Sequence, residues 1–88
     1  SLAATDGKVS VEGHTDNVPV AFSERFNSNW DLSAARSASV ADFFINNSGF
    51  EQGNMLVTGF ADTKPIATNN TAAGRARNRR IEVIVDGS

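Results

Sequence analysis

The sequence predicts one small α/β (α+β) domain built around a βαβ unit, and three observations carry that prediction. From Lys8 to Gly13, Val9 and Val11 alternate with Lys8, Ser10 and Glu12, the period-two pattern of a half-buried strand. A long helical stretch, "SNWDLSAARSASVADFFINNSG", follows. A second apolar run, "MLVTGF" from Met55 to Phe60, comes only after that helix, so its pairing with the first strand should be parallel and its crossover right-handed.

Each element has its own signals. The first strand runs into "HTDN", and from His14 to Ser28 there is no periodicity, with Pro19, Ser23, Asn27 and Ser28 marking a long loop. Loops of that length inside compact domains are usually functional. At the helix start Ser28 or Asn29 can accept the first free N–H groups, Asp31 suits the positive end, and Gly49 supplies a left-handed stop. Asp31, Ala35, Ser39, Asp42 and Asn46 form one narrow polar or small strip, and most of the remaining circumference is apolar or small. The helix is therefore expected to be covered on more than one side. "ADTKPIATNNT" reads as a loop, "AAGRARNR" as a short helical turn despite Gly74, and Arg80 to Val85 as a closing strand. That strand places Ile81, Val83 and Val85 on one face and Glu82 and Ile84 on the other. Three strands and one long helix look incomplete, so an N-terminal strand and helix are expected upstream of Ser1. Residues 1–7 read as a disordered boundary segment and 8–86 as the domain.

Composition narrows the function. A chain of 88 residues is one domain, burying about 60% of its unfolded surface, with room for one site. Ten acids against eight bases give a net charge of -2, which argues against a nucleic-acid partner. The bases are nonetheless concentrated at Arg75, Arg77, Arg79 and Arg80, in "GRARNRR". The absence of cysteine removes disulfides and thiolate metal sites. No apolar run approaches the roughly 18 residues that a membrane span needs. "NNS" at Asn46 and "NNT" at Asn69 match a glycosylation sequon by coincidence in an asparagine-rich chain.

Four features invite a functional reading. Arg36 falls one turn from Leu32 and from Val40, with Phe43 nearby, which places a permanent charge on an apolar face. Either it has a carboxylate partner, for which Asp16 at the end of the preceding strand is the leading candidate, or its stem lies along Leu32 and its head reaches water. His14 beside Asp16 resembles half of a metal or acid–base site, but there is no second histidine, and zinc held by one histidine and carboxylates alone would be unusual. No G-x-S-x-G elbow is present, so a histidine hydrogen-bonded at the core edge is preferred over catalysis, and neither a metal nor a cofactor is expected. Trp30 is assigned to the core. Of Arg79 and Arg80, one must turn inward or toward the site, and Asn78 could tie the loop.

Taken together, "VEGHTDN", "NWDLSAARSASV" and "VTGFADTKPIATNNTAAGRARNRRIEVIV" resemble the OmpA-like peptidoglycan-binding domain, in order and over nearly the whole chain. Within that superfamily "SNWDLSAAR" and the long "NVPVAFSERFNSNW" loop are most similar to the stator proteins of the flagellar motor, the MotB and PomB type. The resemblance implies a sandwich of a mixed sheet with helices packed on it, lacking its N-terminal strand and helix here. It implies that Asp16 and Arg36 hold the diaminopimelate of the stem peptide, whose amino group and carboxylate match a carboxylate and a guanidinium set close together. Thr15 and Asn29 then become hydrogen-bonding partners, Asn78, Arg79 or Arg80 stand at the pocket wall, and His14 is structural. The implied function is non-enzymatic anchoring of a motor stator to the cell wall from the periplasm. Implied with it are a homodimer, a membrane partner of the MotA or PomA type and an inner-membrane helix upstream. The alternative is a general envelope tether of the OmpA or Pal type.

Overall fold

A computed structural model of the chain describes residues 7–20, 25–47 and 49–86. Most of the expected boundary segment, residues 1–6, lies outside that set, as do positions 21–24 of the long loop. The described elements are β1 (Lys8–His14), α1 (Asn29–Asn47), β2 (Met55–Gly59), α2 (Ala72–Asn78) and β3 (Arg80–Asp86), with a 3-10 turn over Gln52–Asn54 before β2. The sheet runs β2-β1-β3, with β1 parallel to β2 and antiparallel to β3. The βαβ unit and the mixed sheet are thus both formed.

Val9 and Val11 are buried in the sheet centre, joined by Ala41 of α1 and flanked by Val40, Phe50, Met55, Ile81 and Val85. Alternation on β1 drives this, because both valines point to the helix side while Ser10, Glu12 and His14 point away. Gly49 takes φ 73 just beyond α1, the left-handed conformation expected of it. Thr71 caps α2 by accepting from the Gly74 N–H at 3.0 Å. Gly74 is tolerated there for a packing reason, since a Cβ would run into the Thr68 carbonyl.

The contact face of α1 corrects the sequence reading. Its buried residues are Ser33, Ser37 and Ala41, a stripe of small side chains at i, i+4 and i+8. Their counterpart is a pair of glycines in register, Gly13 on β1 and Gly59 on β2. A Cβ on Gly13 would collide with the Ser33 carbonyl and Ser37 Oγ, and one on Gly59 would lie 2.6 Å from Ala34 N and 2.7 Å from Ser33 Oγ. Helix backbone and sheet therefore meet almost directly, and only small residues fit between them. Ser37 Oγ donates to the Thr58 carbonyl at 3.0 Å, so the buried hydroxyl keeps a partner.

Two large apolar residues of α1 are correspondingly left outside the contact. Trp30, expected in the core, is 55% exposed, and Phe43 is 61% exposed. The helix lies over β1 and β2, which leaves β3 and its Val83 less covered than the alternation predicted.

Candidate ligand-binding site

The site is assembled where β1 and β2 end and β3 begins. Beyond His14 the chain leaves the ladder, and Thr15 is held by its N–H donating to the Ala61 carbonyl at 2.8 Å. Ala61 is buried with φ 53, a left-handed conformation uncommon for a residue with a Cβ. Its own N–H donates to Ser33 Oγ at 3.1 Å, so one residue ties the loop after β2 to both β1 and α1. Thr15, itself buried, donates its hydroxyl to the Asp16 carbonyl at 2.7 Å. Asn29, at the first turn of α1, donates from Nδ2 to the carbonyls of Asp16 at 3.3 Å and Val18 at 3.1 Å.

This scaffold fixes the Asp16 carboxylate. Oδ1 accepts from the Val18 N–H at 2.9 Å, an Asx turn, and Oδ2 accepts from Arg79 Nη1 at 2.7 Å. Burial alone would raise the carboxyl pKa, but the Val18 hydrogen bond and then the Arg79 guanidinium outweigh it and hold the group below its ordinary value of 3.8. Asp16 is an anion with its position set by two donors.

The pairing expected between Asp16 and Arg36 is not formed. Arg36 is exposed and, among the described residues, makes no ion pair; Asp16 is taken by Arg79 instead. Arg36 lines an open groove of about 540 Å³ with Arg25, Phe26, Leu32, Val40 and Ile81. The groove exists because α1 does not cover β3. A smaller depression of about 350 Å³ lies on the loop side, between Asn17, Pro19, Asn29, Trp30, Ala61 and Asp62.

The two arginines at the α2–β3 junction divide as adjacent residues must. Arg79 turns to Asp16 with its side chain 46% exposed. Arg80 turns inward, its side chain 16% exposed, and is consumed by the fold: Nε donates to Glu82 at 2.6 Å, Nη1 to the Asn78 carbonyl at 3.2 Å and Nη2 to the Lys64 carbonyl at 2.9 Å. Asn78 is fully buried and does tie the loop. Its Oδ1 accepts from the N–H groups of Ile66 at 2.8 Å and Ala67 at 3.0 Å, and its Nδ2 donates to the Ala67 carbonyl and Asn69 Oδ1. Arg79 as the partner of Asp16 is what sequence reasoning missed. The antiparallel register carries the signal, since His14 faces Arg80 and so sets the loops on either side next to each other.

His14 is buried and stacks on Phe60 with ring centroids 5.2 Å apart. Glu12 and Glu82 are the acidic groups beside it. Chemically, the Asp16 rim offers a fixed carboxylate for a cationic group and, at Arg79, an exposed guanidinium for an anionic one, while Arg36 presents a second guanidinium in the groove.

Fold and rim together define a small α/β binding domain whose polar groups converge at the C-terminal edge of a βαβ unit. The chain belongs to the OmpA family, whose profile matches residues 1–79. It is 40% identical over 77 residues to Motility protein B of Bacillus subtilis, covering 88% of this chain and 29% of that protein. It is 38% identical over 84 residues to the Peptidoglycan-binding protein ArfA of Mycobacterium tuberculosis, covering 96% of this chain and 24% of that protein. In structure it superposes on the cell wall anchor of the T6SS from Pseudomonas aeruginosa with a TM-score of 0.85 at 46% identity, covering 94% of this chain and 57% of that one. The chain thus spans well under half the length of these two curated relatives. No helix among the described residues is long and apolar enough to cross a membrane.

Proposed function

We propose that this domain is a non-catalytic peptidoglycan-binding module of the periplasm that anchors a flagellar motor stator of the MotB or PomB type by gripping the diaminopimelate of the stem peptide. The observation that carries this reading is the Asp16 carboxylate, buried, ionised and presented at the strand edge beside the exposed guanidinium of Arg79. Diaminopimelate carries an ammonium and a carboxylate on one stereocentre. Asp16 receives the ammonium, and Arg36 takes the carboxylate with its two-pronged head. Thr15 and Asn29 hold the loop that presents Asp16, Arg79 supplies a second cation at the wall, and Arg80 braces the corner behind it.

The similarity to Motility protein B supports the stator assignment. With it go a homodimer, a membrane partner of the MotA or PomA type and an inner-membrane helix in the whole protein. The likeness to a T6SS cell wall anchor favours a second reading, a general wall tether of the OmpA or Pal type using the same clamp.

The test is co-sedimentation with purified sacculi of two kinds, one with diaminopimelate and one with lysine in its place. Lysine keeps the side-chain ammonium and lacks the second carboxylate, so binding should fall at least tenfold on the lysine-type wall. Equal binding to both would overturn the clamp.

A further inference from the structure

The strand register gathers three side chains that the sequence keeps apart. Glu12 and His14 lie two residues apart on the face of β1 turned away from α1, and Glu82 on β3 is the direct partner of Glu12. One ligand atom from each can be chosen such that all lie within 4.8 Å of one another. The sequence paired His14 with Asp16, and strand pairing substitutes two carboxylates that point the same way.

His14 is what makes this more than an acidic cluster. Its side chain is only 2% exposed, yet neither Nδ1 nor Nε2 has a hydrogen-bond partner among the described residues. Buried polar atoms in native folds are nearly always satisfied. Phe60 closes one face of the ring, so a partner must come in the ring plane, and Nε2 there looks at Glu82 Oε2 across 3.5 Å. That gap is too long for a good hydrogen bond and close to the spacing of two ligands on one tetrahedral ion, about 3.4 Å for metal–ligand bonds of roughly 2.0–2.1 Å. Burial, followed by Arg80, lowers the imidazole pKa, with Glu82 and Glu12 opposing.

We propose that Glu12, His14 and Glu82 form a site for a divalent cation of the zinc class on the outer face of the sheet, separate from the Asp16 rim. An imidazole nitrogen favours zinc, cobalt or nickel over magnesium or calcium, and two carboxylates balance the charge of the ion. Arg80 Nε, 2.6 Å from Glu82 Oε2, acts as an outer partner that orients the carboxylate. The positive charge of Arg80 limits the affinity. Three protein ligands leave a fourth position for water, and the ion cross-links β1 to β3. None of this depends on peptidoglycan binding.

The experiment is a titration of metal-free protein with Zn2+, read by calorimetry and by thermal unfolding, with Co2+ as a spectroscopic probe. Expected are one ion per chain, a raised Tm, tetrahedral cobalt bands in the visible, and no comparable response to millimolar Mg2+. Glu12→Gln and Glu82→Gln should each weaken Zn2+ at least tenfold, while Asp42→Asn on the exposed side of α1 changes nothing. His14→Gln should likewise weaken Zn2+ at least tenfold, and the two glutamate variants stand in for it if it unfolds. Absence of binding at 0.1 mM Zn2+ on the order of ordinary assay concentrations, or binding that survives both glutamate changes, overturns the proposal.

Discussion

Asp16 and Arg79 are 63 residues apart in sequence and 2.7 Å apart in space, and their contact joins the end of β1 to the end of α2. Arg79 is substantially exposed, so water screens the pair, and its worth to folding is about 1 kcal/mol. The carboxyl pKa lies below its ordinary 3.8, which means that the folded state holds the proton more weakly than the unfolded chain. The contribution is present in full above the unfolded value and disappears as the pH falls through the folded one. Thermal unfolding between pH 7 and pH 2, as a rough span, should show a steeper acid loss for the wild type than for Asp16→Asn, with the two curves converging at the acid end.

Gly13 and Gly59 allow α1 to lie against the sheet, and the atoms that a Cβ at Gly13 would strike include helix backbone, which cannot swing aside. Gly13→Ala should therefore cost about 2–3 kcal/mol, the upper part of the range for overpacking. Urea unfolding measures it. A cost near zero would mean that the helix seats more loosely than this contact requires.

Asn78 spends both its oxygen and its amide nitrogen on the loop before α2, and it is fully buried while doing so. Asn78→Ala leaves the N–H groups of Ile66 and Ala67 without their acceptor, at an expected cost of about 2–4 kcal/mol. Hydrogen exchange should show those two amides losing protection first. Asn78→Asp should be no milder: it keeps the acceptor, but it buries a carboxylate and turns one of its oxygens toward the Ala67 carbonyl and Asn69 Oδ1, which the amide had served as donor.

How far the sequence disclosed this molecule depends on the kind of pattern involved. Alternation in β1 and the intervening helix were enough for the parallel pair, because crossover geometry leaves few choices. The packing face of α1 was not legible, since an apolar count cannot foresee that glycines opposite would select Ser33 and Ser37. Trp30 was misplaced for the same reason. Asp16 was singled out from its position at a strand end, and the structure fixes its carboxylate there with two donors. Its partner was not legible, because a helical wheel offers Arg36 from within the βαβ unit, whereas Arg79 arrives through the antiparallel return of β3. His14 with Glu12 and Glu82 is a further product of register, invisible until the strands are aligned.

The last prediction separates the two arginines that could receive a ligand carboxylate. Arg36 makes no ion pair among the described residues, so removing it should leave unfolding nearly unchanged, whereas Arg79→Ala frees the buried Asp16 carboxylate and should lower stability by about 1 kcal/mol. On diaminopimelate-type sacculi, Arg36→Ala and Asp16→Asn should each cost about 2 kcal/mol or more of binding, the range for truncating one member of a ligand charge pair. Arg79→Ala should weaken binding less, because it also releases an oxygen of Asp16 to accept from the ligand ammonium. His14→Ala, tested for folding alongside, should bind like the wild type wherever it remains folded. If Arg36→Ala binds normally and Arg79→Ala does not, the carboxylate receptor is Arg79, and the groove beside Arg36 is then only the space left where α1 stops short of β3.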